Sequence, residues 1–483
     1  MPTGRIPTDG AVEDPNRTKS ALSTNRQAVI IIHGVGNQRP MDTLRHFVDT
    51  TLNVDPETDR DPKYYSKPDN LSGSFELRRL QTRDTRPRTD YFELYWQHLV
   101  PTATWSKILA WLALLLNRKP ADVPLMLRWL WALTWAVVST TLLLLAFSIV
   151  LWLFPGIQWI PTWLNREYSY PIGLAVLLLL IQSIILNYVG DAAIYLSPEP
   201  RNIKARQAVR EAGVALIKRL HNGLDENRPY DRIVVVGHSL GSVIGYDILT
   251  YAWPGYNNRH GCPERPSNAK LTNAESITKQ IRDAEHKADQ KALREAQSEW
   301  ALSTRKLWLE QRKNGIPWLV TDFITLGSPL AHALLLLARN RSEFERKKLQ
   351  RELPTSPPQL EVKGGFSYPS QYALANGKRR TLKVLNHAAL FAVTRWTNLF
   401  FPARCALMGD LIAGKVSTVL GAGIHDLPVE TAAQGGWLLH TRYWQPHASD
   451  RGNTRSSIAQ LVKALDIKRL SFRKLDGMNG SDD

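Results

Sequence analysis

The sequence predicts an α/β protein with a mostly parallel, doubly wound sheet, interrupted by two long apolar segments. Short β-branched runs that end in glycine-rich turns predict the sheet, and two uncharged stretches near the middle of the chain predict the interruption. With 483 residues, 43% of them hydrophobic, and 16 tryptophans, the chain can bury a large core and is neither disordered nor collagen-like. Its two cysteines cannot form a disulfide framework.

Net charge is distributed unevenly along the chain. The formal charge of +17 would by itself suggest a nucleic-acid-binding protein. Nearly all of this charge lies in residues 201–483, whereas residues 1–98 are neutral overall. The sequence lacks basic motifs interleaved with aromatic residues, which RNA-binding modules use to stack bases. We therefore expect no nucleic-acid partner.

The predicted strands share β-branched or aromatic residues and end near turns. They lie at 28–32, 231–236, 318–326 and 393–401, with less regular candidates at 75–80 and 91–96. Because the first of these strands and the one at 231–236 belong to one sheet but lie about 200 residues apart, the intervening chain must leave the sheet and return to it. A helical run from 190 to about 222 is expected on the return.

A Gly-x-Ser-x-Gly motif, Gly237-His-Ser-Leu-Gly241, follows the strand at 231–236 and precedes a helical segment. The spacing has a mechanical reason, because small residues on both sides let the backbones pass where a strand turns sharply into a helix. Ser239 is then held outward as a nucleophile, and the amide of Leu240 points to the position where an oxyanion forms. The alternatives are an ordinary glycine-rich turn and a decayed site.

The loop after the first strand is the candidate for the second oxyanion donor. It reads His33-Gly-Val-Gly36, and the backbone at Gly34 and Val35 would face the nucleophile. The alternative is a tight connection with no catalytic role. We expect His33 to order this loop rather than to transfer protons.

Three motifs together carry a resemblance to a known family. They are His33-Gly-Val-Gly36, Gly237-His-Ser-Leu-Gly241 and Leu326-Gly-Ser-Pro-Leu330. In this combination the chain resembles lipases of the α/β-hydrolase fold, and among these the intracellular phospholipases A1 of the DDHD kind and related bacterial lipase-like proteins. The resemblance implies a Ser-His-Asp triad in which the acid and then the histidine follow the serine. Ser328 lacks the second glycine of the motif and is expected to be a turn or cap residue.

The resemblance also suggests the acid. Gly409-Asp-Leu-Ile-Ala-Gly414 follows the strand at 393–401 and is similar to the acid loop of bacterial relatives, which makes Asp410 the candidate and leaves Asp426 as the alternative. Active-site groups lie at the carboxyl ends of parallel strands, so Asp322, at the start of its strand, is at the wrong end. Asp247 lies too far along the nucleophile helix, at roughly 12 Å of rise, and is expected to be structural.

For the histidine, the segment His440-Thr-Arg-Tyr-Trp444 resembles the His-x-x-Tyr-Trp element of the same family. His440 is therefore the candidate base, His425 the first alternative and His447 the second. In the triad, His440 would take the proton from Ser239 and Asp410 would hold the imidazole tautomer. The sequence contains no metal-ligand spacing, P-loop or dinucleotide fingerprint, and we expect no cofactor and no metal.

A membrane hairpin is predicted in the middle of the chain. Residues 129–154 and 171–190 carry no charge, and each run is long enough to cross about 30 Å of hydrocarbon. The alternative is a pair of buried core helices. An interfacial helix is expected at about 99–117. Basic residues flank the hairpin on both outer sides, which predicts an integral membrane protein whose catalytic domain faces the cytoplasm. No signal peptide is expected.

The predicted organisation divides the chain into parts. They are a polar tail at 1–27, a first part of the hydrolase domain at 28–98, the membrane insertion at 99–200, and a second part at 201–483 that contains a charged helical insertion at about 267–314. A solvated surface helix is the default interpretation of the charged insertion, and a lid or a partner-binding helix is the alternative.

The leading functional hypothesis is a membrane-anchored serine hydrolase that cleaves carboxylic esters of lipids, most plausibly phospholipids. A lipid membrane would be its partner, because the basic soluble part would lie near an anionic leaflet. Three alternatives stay open: an anchored esterase or thioesterase acting on a soluble substrate, an antibacterial lipase effector, and a non-catalytic scaffold with a hydrolase fold.

Overall fold

The computed structural model describes most of the chain on both sides of the predicted hairpin. The described residues are 25–36, 38–54, 61–83, 85–101, 200–223, 229–362, 364–403, 409–431, 439–447 and 452–475, with 194–196, 450 and scattered positions within 113–143.

An eight-stranded mixed sheet organises the molecule. Its strands are β1 (Arg26–Ile32), β2 (Tyr64–Pro68), β3 (Arg78–Thr82), β4 (Arg88–Leu94), β5 (Arg232–His238), β6 (Val320–Leu326), β9 (Arg395–Phe400) and β10 (His425–Pro428). Their order is β10-β9-β6-β5-β1-β4-β3-β2. The six strands from β10 to β4 are parallel, and β3 and β2 add an antiparallel edge. A separate antiparallel hairpin consists of β7 (Ser367–Ala373) and β8 (Arg379–Leu385).

Helices cover both faces of the sheet. They are α1 (Asp42–Thr51), α2 (Ile203–Asn222), α3 (Leu240–Ala252), α4 (Ala269–His286), α5 (Gln290–Lys313), α6 (Ala333–Leu337), α7 (Arg341–Leu349), α8 (Ser417–Leu420), α9 (Ser457–Leu465) and α10 (Leu470–Leu475). The side chains of β1 alternate between two cores: Ile30 and Ile32 pack with α2 and α3, whereas Val29 and Ile31 pack with α1 and α9. This period-two alternation, with both faces apolar, confirms the predicted α/β class with a mostly parallel sheet wound on both sides.

The predicted strands are found, with shifted ends. β1 begins at Arg26, so two residues assigned to the polar tail belong to the sheet. β3 begins at Arg78, three residues after the start of the predicted strand 75–80. β4 begins at Arg88, three residues before the start of the predicted strand 91–96. The division of the chain into parts stays a prediction.

The charged segment 267–314 is not a solvated surface helix. It forms α4 and α5, and α5 buries Trp300, Leu307 and Trp308 in the core beneath the sheet. The guanidinium of Arg305 donates to Asp322 at the start of β6, at 2.8 and 2.9 Å. We call the side where the parallel strands begin the amino edge and the opposite side the carboxyl edge. Because Arg305 holds α5 at the amino edge, α5 is also no lid over Ser239.

Residues 465–469 cover the amino edge where β1 and β5 begin. The side chain of Gln27 donates to the carbonyl of Ile467 at 2.8 Å and accepts from Arg469 at 3.1 Å. Arg469 also forms an ion pair with Asp231, and Arg232 donates to the carbonyl of Leu465 at 2.9 Å. The first strand and a segment more than 400 residues later are thus held together by buried polar contacts.

The predicted spans at 129–154 and 171–190, and most of the predicted interfacial helix, lie outside the described residues. Described positions between 127 and 139 are helical. Within the parts of the chain that the structure describes, no helix is both long enough and apolar enough to cross a bilayer. The hairpin and the cytoplasmic orientation stay predictions.

Candidate active site

Ser239 occupies the sharp turn between β5 and α3. Its backbone lies at φ 51° and ψ −127°, a left-handed conformation that a non-glycine residue adopts only when its surroundings impose it. Two glycines make this turn possible: a Cβ on Gly237 would lie 2.6 Å from the carbonyl oxygen of Gly241, and one on Gly241 would overlap the carbonyl oxygen of Ile32. The tight glycine packing confirms the mechanical reason for the Gly-x-Ser-x-Gly spacing.

A chain of hydrogen bonds joins the three residues proposed from the sequence. Nε2 of His440 lies 2.8 Å from Oγ of Ser239, and Nδ1 of His440 lies 2.8 Å from Oδ2 of Asp410. Because the Asp410 carboxylate can only accept, Nδ1 carries the proton and Nε2 is the acceptor that faces the hydroxyl of Ser239. The arrangement can remove a proton from Ser239 as its oxygen attacks an electrophile.

The environment of Asp410 keeps its carboxyl group ionised. Burial alone would raise the pKa of Asp410, but hydrogen bonds from His440, Tyr443 and the amide of Ile412 outweigh it and hold the pKa below its ordinary value. The hydroxyl of Tyr443 donates to Oδ2 at 2.8 Å, and the amides of Ile412 and Ala413 donate to Oδ1 at 3.0 and 3.2 Å. The acid therefore carries a charge that can stabilise an imidazolium beside it.

Backbone packing fixes the position of His440. Gly327, which follows β6 at φ +59°, leaves no room for a Cβ, which would lie 2.6 Å from the ring of Tyr443 and 3.2 Å from Cε1 of His440. On the other side, Nε2 of His238 lies 2.8 Å from the carbonyl oxygen of His440. Burial and the nearby His440 lower the pKa of His238 to about 3, so its ring is neutral and Nε2 donates to this carbonyl.

The candidate oxyanion residues lie next to the nucleophile. A Cβ on Gly34 would be 2.8 Å from the Cβ of Ser239, so the loop can approach this closely only because position 34 is glycine. Val35 follows it and packs against the core. Leu240 is the first residue of α3, and its amide therefore has no acceptor within the helix. The role of these amides as oxyanion donors stays a prediction.

The first alternatives for the acid and the base, Asp426 and His425, lie in β10, which β9 and β6 separate from β5 and Ser239. The carboxylate of Asp426 accepts from Asn398 at 2.7 Å and from the amides of Val416 and Ser417 at 3.1 and 3.0 Å, so it holds the start of α8. His425, in the same edge strand β10, is exposed. The structure brings neither into the hydrogen-bonded chain with Ser239.

Several residues that sequence analysis set aside have structural partners. Asp247 accepts from Tyr195 at 2.7 Å and pairs with Arg210 at 2.6 Å, which confirms its structural assignment. Ser328 caps a short turn by accepting from the amide of Leu330 at 3.2 Å. His33 lies 2.8 Å, through Nδ1, from the carbonyl oxygen of Gly34, consistent with ordering of the loop.

Sequence analysis missed the contribution of Tyr443. This residue was part of the His-x-x-Tyr-Trp element, but its pattern alone does not show that the hydroxyl would reach the carboxylate of Asp410. Burial and the neighbouring Asp410 charge raise the pKa of Tyr443 well above its ordinary value, so the hydroxyl stays protonated and donates.

Among the described residues, no group of three or more His, Cys, Asp or Glu side chains is arranged to hold a metal ion. Comparisons with protein-family models, with curated proteins and with solved structures find no match to this chain. Functional interpretation therefore depends on the geometry around Ser239.

Proposed function

We propose that this chain is a serine ester hydrolase of the α/β-hydrolase fold, anchored in a membrane and acting on lipid esters, with phospholipids as the first candidate substrates. The observation that carries the proposal is the hydrogen-bonded chain from Ser239 through His440 to Asp410. It lies at the carboxyl edge of a mostly parallel sheet, where active sites of α/β proteins are found.

The reaction uses these three side chains in two steps. As Oγ of Ser239 attacks the ester carbonyl, its proton moves to Nε2 of His440, and the same proton then passes to the leaving alcohol. Water, deprotonated by His440, attacks the acyl-serine and releases the carboxylic acid and free Ser239. Asp410 stabilises the imidazolium in both steps, and the amides near Leu240 and Gly34 would stabilise the oxyanion.

The attachment points of the insertion support a lipid substrate. β4 ends at the carboxyl edge, and the chain re-enters the fold through α2, which spans about 30 Å and leads to the start of β5, so α2 begins at that same edge. The guanidinium of Arg118 donates to the carbonyl of Leu335 in α6, which follows β6. A bilayer that holds the predicted spans would therefore lie on the side of Ser239.

A probe experiment tests the proposal. The protein, purified in detergent, is treated with a fluorophosphonate probe and then offered phospholipid and short-chain esters, beside Ser239→Ala and Ser328→Ala. Ser328 is a matched control, because it is another buried serine at the end of a neighbouring strand. We expect labelling of the unmutated chain and of Ser328→Ala, and a loss of turnover of at least about 10⁴-fold in Ser239→Ala.

The outcomes separate the candidate functions. Absence of labelling in the unmutated chain would contradict its assignment as a serine hydrolase of any substrate class and would favour a non-catalytic scaffold. Labelling with turnover of short-chain esters only would contradict the lipid substrate and favour an esterase or thioesterase that is anchored for location.

A further inference from the structure

The loop that carries the candidate oxyanion residues runs from β1 to α1, and one short segment holds it. The segment is 93–97, which ends β4 and continues beyond it; we call it the scaffold segment. Its contacts reach the loop at both ends and in the middle.

At the start of the loop, the indole of Trp96 donates to the carbonyl oxygen of His33 at 2.9 Å, and the two rings stack with centroids 5.2 Å apart. Trp96 is fully buried, so this donor has no access to water as an alternative. Because Gly34 follows His33 directly, the bond fixes the peptide unit that leads into the candidate oxyanion backbone.

In the middle of the loop, two contacts meet at Gln38. The hydroxyl of Tyr95 donates to the carbonyl oxygen of Gln38 at 3.0 Å, and the amide of Gln38 donates to the side chain of Gln97 at 3.3 Å. At the end, the carboxylate of Glu93 accepts from the amide of Met41 at 2.7 Å. Met41 has φ 73°, a conformation that needs such support in a residue with a side chain.

We infer that the scaffold segment positions the oxyanion loop against Ser239, with Trp96 as the main positioning residue. The inference rests on the proposed hydrolase function and goes beyond it, because it assigns control of the transition state to residues that do not touch substrate. Stabilisation of an oxyanion depends on donors held about 3 Å from the developing charge, and a displacement of about 1 Å can cost roughly 100-fold in rate.

A pair of tryptophan substitutions tests this role. Trp96→Phe removes the donor to His33 and keeps an aromatic ring. Trp253→Phe is the matched control: its indole donates to the carbonyl of Asn386 at 3.0 Å, and it is equally buried, but it lies at the far end of α3 from Ser239. Both variants lose one buried hydrogen bond of the same kind.

The measured quantities are kcat and KM for an ester that the unmutated chain turns over, together with the melting temperature. We expect Trp96→Phe to lower kcat about 10- to 100-fold with KM nearly unchanged, because an oxyanion forms only in the transition state. Trp253→Phe should lower the melting temperature by a similar amount and leave kcat within about twofold.

Tyr95→Phe, with Tyr246→Phe as its control, repeats the comparison if Trp96→Phe does not fold. Both hydroxyls donate to backbone carbonyls, that of Tyr246 to Pro354 at 2.9 Å. Equal kcat values in each pair, or a change in KM alone, would overturn the scaffold role while leaving the hydrolase function standing. Absence of turnover by the unmutated chain would overturn both.

Discussion

A buried aspartate at each edge of the sheet can be compared, Asp322 at the amino edge and Asp410 at the carboxyl edge, and the partners of the two differ in kind. At the amino edge, the carboxylate of Asp322 accepts from three guanidinium groups, those of Arg232, Arg305 and Arg395, at 2.8 to 3.0 Å. At the carboxyl edge, Asp410 accepts from His440 and Tyr443, which are neutral donors when His440 has not taken a proton.

The difference separates a structural carboxylate from one that the proposed hydrolase function would use. Burial opposes ionisation at both positions, but the arginines hold the pKa of Asp322 far below its ordinary range, whereas hydrogen bonds hold that of Asp410 below it. A lowered pKa of a buried aspartate therefore does not by itself indicate an active site. What distinguishes Asp410 is a partner, His440, that can accept a proton and that also contacts the hydroxyl of Ser239.

The largest expected effect comes from removing each carboxylate charge in turn. Asp410→Asn should lower kcat about 10³- to 10⁴-fold with a small change in stability, because the imidazolium loses its counter-charge and tautomer control. Asp322→Asn should cost about 3–5 kcal/mol of unfolding free energy, since three arginines lose their buried partner, and leave kcat of the folded fraction unchanged. Urea unfolding and steady-state kinetics measure the two effects. A large loss of kcat in Asp322→Asn, with only a loss of stability in Asp410→Asn, would contradict the roles given to the two carboxylates.

The second effect is a difference between the pH ranges in which His238 at the carboxyl edge and Asp322 at the amino edge respond to acid. Burial lowers the pKa of His33 to about 4 and that of His238 to about 3, so between pH 6.5 and 4 each of these rings takes up a proton in the unfolded chain but not in the folded chain, and each therefore makes the fold less stable as the pH falls. Asp322 contributes stability that is lost only below about pH 4, where the unfolded carboxyl is protonated.

His238→Asn isolates the contribution of His238. We expect the slope of unfolding free energy between pH 6.5 and 4 to decrease by about 1.4 kcal/mol per pH unit, the value for one proton. Asp322→Asn should leave that slope unchanged. Urea titrations at pH 7, 6, 5 and 4 measure both, and an equal slope in the unmutated chain and His238→Asn would contradict the prediction.

The smallest expected effect is at Ser328, which lies at the carboxyl edge without belonging to the hydrogen-bonded chain. Ser328→Ala removes the cap of a short turn and the contact with the hydroxyl of Ser242 at 2.6 Å, but Ser242 keeps its bond to the carbonyl of Ser239 at 2.6 Å. A loss of about 1 kcal/mol in stability is expected, with kcat within about twofold. A large loss of kcat would mean that Ser328 takes part in the chemistry.

The sequence predicted those parts of the fold that follow from local pattern. β1 and β5 contain continuous apolar runs at 28–32 and 233–236, and β6 is rich in β-branched residues; such patterns identify strands that are buried on both faces. β10 and the β7–β8 hairpin carry mostly exposed or half-buried residues without such a run, so local pattern could not identify them.

The position of α5 depends on contacts that are distant in sequence. Its charged composition suggested a solvated helix, but Trp300, Thr304 and Trp308 form a stripe at helical spacing that faces the core. The stripe was a signal that could have predicted burial of the helix. The pairing of Arg305 with Asp322 could not be predicted, because it depends on how α5 crosses the sheet.

For the site, local spacing predicted Ser239, and the family resemblance supplied Asp410 and His440. The structure brings these three residues together, although Ser239 and His440 are 201 positions apart in the sequence. The role of the scaffold segment could not be predicted from the sequence, because its side chains contact backbone atoms of a loop more than 50 residues earlier.

The contacts of residues 465–469 have a consequence for biosynthesis. The side chain of Gln27 in β1 contacts Thr89 and Arg232, but its remaining partners, Ile467 and Arg469, are made more than 200 residues after Arg232. Contacts of such long sequence separation form slowly, so the amino edge at β1 is completed after β1 has its two neighbouring strands, β4 and β5. Closure of the amino edge and assembly of the hydrogen-bonded chain at Ser239 therefore both wait until residues 440–469 have been made.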